Sequence, residues 1–366
     1  MFPVNIFSGL AALYIIIRAI FPMPCGWAVK TPLIILVMAA AMKFQLIHLL
    51  GGPQFFAPKV PGLVTAVSGV LYISVYILFF LLLIKDLVYL PCFLFGLRFS
   101  QGYVNLLLTA AALSLGLLGL YNALKAPAVK EYPTKIEGLS EEARGLRVAV
   151  LADIHADKIT REKAVQKIVD LTLSANPDLI VISGDFADGE VEEVGQGLTP
   201  LKELKAPLGV YAVSGNHEYY NGWKEWKPYL ESLGLNILEN QNVKLKEGLF
   251  LAGVPDLNAV RTDLPKPDLN AALSGTEGSK VILLAHQPNM NRFYNGRHID
   301  LQISGHTHGG MIKGLDKIIE RFNGGAVSGF YEKDGNKLFV TNGASLWNGF
   351  PTRLGVPSKV PILILE

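Results

Sequence analysis

Five short segments in the later part of the chain carry residue types that bind metal ions, each directly after an apolar run of strand-like length. They are Asp153-Ile154-His155, Gly184-Asp185, Gly215-Asn216-His217-Glu218, His286 and Gly305-His306-Thr307-His308-Gly309-Gly310. Residues two apart in extended chain point to one side, so Asp153 with His155, and His306 with His308, can face a common cavity. Imidazole, carboxylate and amide groups are donors a transition metal accepts, and flanking glycines let the backbone pass close to an ion. Each segment alone has an ordinary structural explanation. Asp153 suits a helix cap, Gly184-Asp185 a turn, Asn216 a loop bridge and His286 a satisfied core histidine. Five such coincidences at equivalent places are much harder to arrange than one metal site. Five of the seven histidines lie in these segments; His48 falls in an apolar stretch and His298 suits a surface turn.

The elements that must position these residues read as alternating strands and helices. Strands are expected at Leu146–Ala152, Leu179–Ser183, Gly209–Val213, Lys280–Ala285 and Leu301–Ser304. Between the first two, Thr160–Ala175 has helical character, with Thr160 as N-cap, an apolar stripe of Ala164, Ile168 and Leu171, and Asn176-Pro177 as the stop. Strand, helix, strand of this length implies a parallel crossover. Open α/β sheets bind ligands beyond the carboxyl ends of their strands, where all five segments fall. Residues 255–278 form a polar, proline-containing insertion in which Asp256 is either a substrate contact or part of a solvated loop. Tyr219, Tyr220 and Trp223 either line the site or pack. Two final strands, Lys337–Gly343 and Val360–Leu365, are expected to complete a second sheet.

The chain has 366 residues, of which 50% are hydrophobic and only 17% charged, which points to a membrane part. Residues 1–124 hold six basic residues (Arg18, Lys30, Lys43, Lys59, Lys85, Arg98) and one acid, Asp86, leaving 27 basic and 30 acidic residues for 125–366. A slightly acidic domain has no electrostatic footprint for coating nucleic acid. Both cysteines, Cys25 and Cys92, lie in the apolar part, so any metal further on is held by nitrogen and oxygen.

Four apolar stretches, near Val4–Met23, Thr31–Leu50, Gly62–Ile84 and Val104–Leu124, each have about the twenty residues a membrane helix needs. Pro22, Pro24, Gly51-Gly52-Pro53, Pro58, Pro61 and Pro91 punctuate them. Four membrane helices are therefore expected, with Lys43 snorkelling from the second. An even number of crossings puts the N-terminus and the polar part on one side. Arg18, Lys30, Lys85 and Arg98 flank the first and third loops, which favours an extracytoplasmic polar part; Lys125, Lys130 and Lys135 pull the other way.

Asp-x-His, Gly-Asp, Gly-Asn-His-Glu, His and Gly-His-Thr-His, all present and in order over about residues 145–310, resemble the calcineurin-like metallophosphoesterases, and within them a bacterial, often membrane-attached branch. The resemblance implies an α/β four-layer αββα sandwich and two divalent ions, manganese, iron or zinc. Asp153, His155 and His308 would hold one ion, Asn216, His286 and His306 the other, and Asp185 both. A bridging water would lose a proton and attack phosphorus in line, with His217 protonating the leaving oxygen. Glu218 would support the ligands rather than bind metal. Arg353, in Phe350-Pro351-Thr352-Arg353, either contacts a phosphate or pairs with an acid, and Asn342 stands where the branch often has arginine. The expected organisation is membrane helices over 1–124, a linker over 125–144, of which 125–140 reads as linker or as a lead-in edge strand kept extended by Pro127 and Pro133, and a catalytic domain over 145–366. The partners would be membrane lipids and a phosphate-ester substrate, itself lipid-linked or small and soluble. A binding-only domain in a membrane sensor or transport component is the competing function. Such domains usually lose ligands, and none is missing.

Overall fold

The computed structural model describes residues 2–51, 58–96, 100–333 and 335–366. The chain forms two compact units, Met1–Asn122 with Asn348–Thr352, and Ala123–Trp347 with Arg353–Glu366.

The first unit is helical. α1 (Phe2–Ile15) continues through a π-helical turn, Ile16–Ile20. α2 (Trp27–Ala41) and α3 (Lys43–Gly51) are joined through Met42 and bent by 80°. α4 (Gly62–Leu94) and α5 (Gln101–Ala123) are long and apolar enough to cross a bilayer. Among the described residues this makes two candidate spans, or three if the bent pair is one span, with Asn5–Ile20 a further apolar helix. Two or three of the four expected spans are thus accounted for, the second being divided by a bend that hydropathy does not register. Three crossings would put the chain's start and the α/β unit on opposite sides, so the loop-charge argument loses its even-number premise. Pro91 sits inside α4 rather than ending it; Gly52, Pro53 and Arg98 lie outside the described residues.

Lys43 does not snorkel. Its side chain is buried, and Nζ donates to the carbonyls of Asn348 (3.0 Å) and Gly349 (3.2 Å). Phe44, Tyr72 and Phe350 pack beside it, Tyr72 lying 5.1 Å from Phe44 and 5.6 Å from Phe350 between ring centres. The one acid of residues 1–124 is also matched within the unit. Asp86 accepts from Arg18 at 2.7 Å, pairs with Lys85 at 3.1 Å and accepts from Tyr14, while Lys85 donates to Asn105.

The second unit holds two six-stranded sheets. Its strands are β1 (Ala128–Thr134), β2 (Arg147–Leu151), β3 (Leu179–Ser183), β4 (Val210–Val213), β5 (Asn236–Ile237), β6 (Gln241–Lys246), β7 (Leu249–Gly253), β8 (Lys280–Leu284), β9 (Leu301–Ser304), β10 (Gly329–Lys333), β11 (Asn336–Val340) and β12 (Lys359–Leu365). The first sheet runs β1-β12-β2-β3-β4-β5 and the second β10-β11-β9-β8-β7-β6. β2, β3, β4 and β5 are parallel neighbours, as are β7, β8, β9 and β11. Only one of the two final strands completes the second sheet. β12 enters the first, antiparallel to β2 and parallel to β1. Proximity in sequence to β11 says nothing of which sheet has an open edge.

Side-chain alternation divides each strand between two cores. Val148, Val150 and Val181 share one buried cluster with Leu251, Ile282 and Ile303 of the other sheet. The opposite face of β2 and β3, Ala149, Leu151, Ile180 and Ile182, packs against α6 (Glu162–Ser174) and α9 (Trp223–Ser232). α6 buries Ile168 of the expected stripe, with Val165, Val169 and Thr172 buried where Ala164 and Leu171 are half-buried, and starts after Arg161. Thr160 is not its cap; its hydroxyl lies 3.2 Å from Ser345 Oγ and its N–H donates to Asp157. The remaining short helices, α7 (Val191–Val194), α8 (Asn216–Tyr220), α10 (Leu269–Ala272) and α11 (Asp316–Phe322), lie in the connections.

Candidate metal centre

The five segments converge from two sheets. Asp153/His155, Asp185 and Asn216/His217 follow β2, β3 and β4; His286 and His306/His308 follow β8 and β9. Each strand ends, and the chain turns abruptly. Asp153, His155, Asp185, His306 and His308 all have positive φ, between 46° and 72°, and make up five of the nine such non-glycine residues among those described. This backbone region costs roughly 1–3 kcal/mol per residue and persists only where surroundings enforce it. Gly215 is required for space, since a Cβ there would collide with Asp185 Oδ1.

The side chains meet closely and are buried, with His306 alone half-buried. Three overlapping groups each place one donor atom per residue within 4.8 Å of the others: Asp153, His155 and His308; His155, Asp185 and His217; and Asp185, His286 and His306. His155 Nε2 lies 3.0 Å from His308 Nε2 and 3.7 Å from Asp185 Oδ2. His286 Nε2 lies 3.2 Å from Asp185 Oδ2 and 3.1 Å from Asn216 Oδ1, and its ring is 5.1 Å from that of His306. The His286 Nδ1–H donates to the Ser183 carbonyl at 2.7 Å, which turns Nε2 towards the cluster.

The sequence comparisons agree with this geometry. The family model for calcineurin-like phosphoesterases matches residues 146–310. An uncharacterized metallophosphoesterase of Campylobacter jejuni is 33% identical over 310 residues, covering 82% of this chain and 81% of the relative. The chain belongs to the calcineurin-like phosphoesterase family. A Helicobacter pylori metallophosphoesterase is 36% identical over 68% of this chain, and a zebrafish (Danio rerio) transmembrane protein with a metallophosphoesterase domain is 33% identical over 73%. The matches span 66% and 63% of those relatives, just under two thirds.

Two acids behind the cluster do more than their motifs suggested. Asp188 Oδ1 accepts from His155 Nδ1 at 3.0 Å and His217 Nδ1 at 2.5 Å. Its signal was present as the second acid of Gly-Asp-Phe-Ala-Asp-Gly. Glu218 accepts four backbone N–H groups, from Phe186 (2.7 Å) and Ala187 (3.3 Å) on Oε1 and from Gly215 (2.7 Å) and Asp185 (3.1 Å) on Oε2. The Trp347 ring centre lies about 6 Å from those of His155, His217 and His308; nothing in its local sequence marks it.

Other candidates fall elsewhere. Arg353 is buried, and its guanidinium donates to the carbonyls of Asn342, Ser345, His308 and Val356, which turns it into the fold. Asn342 holds the same region through Ser328 and Pro357. Asp256 is buried rather than solvated, held by Gln287 and the Asn258 N–H. Tyr219 packs against the core, whereas Tyr220 is 43% exposed with its ring 5.6 Å from His217. His298 is a surface residue beside Asp300.

So much buried charge pulls proton affinities apart. Burial opposes protonation of His286 and His217, but Asp185 together with the other carboxylates around them outweighs it and pushes them up to about 10 and about 9. Burial, then the charge on His286, drives His306 down to about 3. Burial, then the neighbouring Asp185, raises Glu218 to about 7 against the N–H donors that favour its charged form. Imidazoles displaced in both directions around shared carboxylates have the donor chemistry of a cation site.

Proposed function

We propose that the protein is a membrane-anchored phosphoesterase with a two-metal site on an αββα sandwich, built as helices over 1–124 and a catalytic domain over 145–366 that takes its edge strand β1 from the segment 125–144. The observation carrying this is Asp185, shared between the ligand group containing His155 and that containing His286 and His306. Asp153, His155 and His308 would hold one divalent cation, and Asn216, His286 and His306 the other, with Asp185 common to both. Nitrogen and oxygen donors without sulfur suit manganese, iron or zinc. Bound there, the cations supply Lewis acidity and neutralise phosphoryl charge.

The chain's own residues do the rest. Asp188 holds His217 through Nδ1, leaving Nε2, 3.8 Å from Asp185 Oδ2, to give a proton to a leaving oxygen. Glu218 fixes the backbone from Asp185 to Ala187 and at Gly215, just ahead of Asn216. The substrate would be a phosphodiester, pyrophosphate or phosphomonoester, and the membrane helices favour a lipid-linked one. Every ligand is present, which speaks against a binding-only domain.

Purified full-length protein should hydrolyse bis(4-nitrophenyl) phosphate or 4-nitrophenyl phosphate when supplied with manganese, iron or zinc. No turnover of either with any of the three metals would favour the binding-only reading. If the α/β unit is extracytoplasmic, an impermeant maleimide should label Ser232→Cys in intact cells; protection until lysis would reverse the orientation.

A further inference from the structure

We propose that α11, the short helix after the His306/His308 turn, is a contact of the α/β unit with the surface of an anionic lipid bilayer. None of its residues is buried. Leu315, Ile318 and Phe322, spaced three and four apart, form one stripe and are 38%, 56% and 72% exposed. Phe293, 51% exposed, belongs to the 3-10 turn Pro288–Phe293, whose Asn289 amide donates to the Phe322 carbonyl at 3.3 Å.

The charges around the stripe are sorted by exposure. Lys313, Lys317, Arg321 and Arg292 are all exposed, whereas Asp316 and Glu320 are half-buried. The acids are also engaged, Asp316 Oδ1 by the Gly314 N–H and Glu320 by Lys317 at 3.0 Å. An apolar stripe fringed by outward cations fits an interfacial helix on anionic lipid. The occupant is also at hand. Only residues 124–127 separate α5 from β1, at most about 14 Å of extended chain, so the bilayer that takes α5 is within the unit's reach. A face meant for another protein would not need that tether.

The helix also adjoins the metal-ligand turn: a Cβ on Gly310 would lie 2.6 Å from the Asp316 backbone. Lipid contact here would set the His306/His308 loop at the bilayer surface. The contact rests on the exposed residues and does not require the phosphoesterase activity.

The test uses full-length protein in vesicles of phosphatidylcholine with about 30% phosphatidylglycerol, in a Cys25→Ala/Cys92→Ala background. An environment-sensitive nitrobenzoxadiazole label is placed at Ile318→Cys, Phe322→Cys or, as a control on the exposed end of α9, Ser232→Cys. Labels at 318 and 322 should shift to the blue and be quenched by spin-labelled lipid at least about threefold more than at 232. That excess should fall at least about twofold without phosphatidylglycerol, or with Lys317→Glu/Arg321→Glu. Quenching at 318 and 322 no greater than at 232 overturns the proposal. So does a blue shift that rises with protein density and is insensitive to lipid quencher, which would mean that a second copy covers the face. An excess that ignores lipid charge overturns the anionic part. Wild-type protein inactive on phosphate esters would leave this readout unchanged and would count only against the proposed chemistry.

Discussion

Glu218→Gln tests whether the loops that present Asp185 and Asn216 are held by one carboxylate. Each oxygen of Glu218 accepts two backbone N–H groups. An amide is nearly isosteric, but in either orientation its NH2 group faces two of those donors. Two charge-assisted hydrogen bonds are lost, each contributing about 1.5–3 kcal/mol, for a gross loss of about 3–6 kcal/mol. Removing a charge that burial and Asp185 already disfavour offsets part of this, so the lower end, about 3 kcal/mol, is expected. For a unit of this size that lowers Tm by about 6–12 °C. Misplacing Asp185 should also weaken metal binding by about 10–100-fold. Thermal melts of the full-length protein in detergent, followed by tryptophan fluorescence, and metal titrations would measure both effects. A Tm within about 2 °C and an affinity within about threefold of the parent would refute the four-donor clamp.

Asp185→Ala should abolish turnover and most metal uptake, read by elemental analysis, while the helical unit keeps its far-ultraviolet helical signal; a fully active variant would remove the shared-ligand role. His217→Asn should lower kcat by about 10²–10⁴-fold with metal content unchanged; loss of metal instead would make His217 a ligand. Arg353→Lys should lower Tm, because an ammonium cannot span four carbonyls, yet leave KM for a small phosphodiester within about twofold; a selective KM rise would mean a substrate contact. His286, raised from 6.5 to about 10, stabilises the metal-free fold below about pH 6.5, and this contribution is lost as pH rises through about 10. The Tm of chelated protein should therefore fall between pH 7 and about 10, while metal affinity rises over the same interval as protons cease to compete. A flat chelated profile would contradict the assignment.

Residue type and order alone marked the metallophosphoesterase family and the residue groups that could hold a metal, because metal chemistry demands donors of a few kinds and strands deliver them at their ends. Apolar runs likewise announced the membrane part and five of the strands, for both signals are local and repeat along the chain. Tertiary structure decided what depends on distant partners. It took β12 into the first sheet, turned Arg353 and Lys43 inward onto backbone carbonyls, and set Trp347 beside three histidines. It also bent the second apolar stretch at Met42, which decides whether that stretch counts as a span. A hydropathy window counts residues, whereas a bend, a sheet edge and a buried carbonyl are properties of how segments meet.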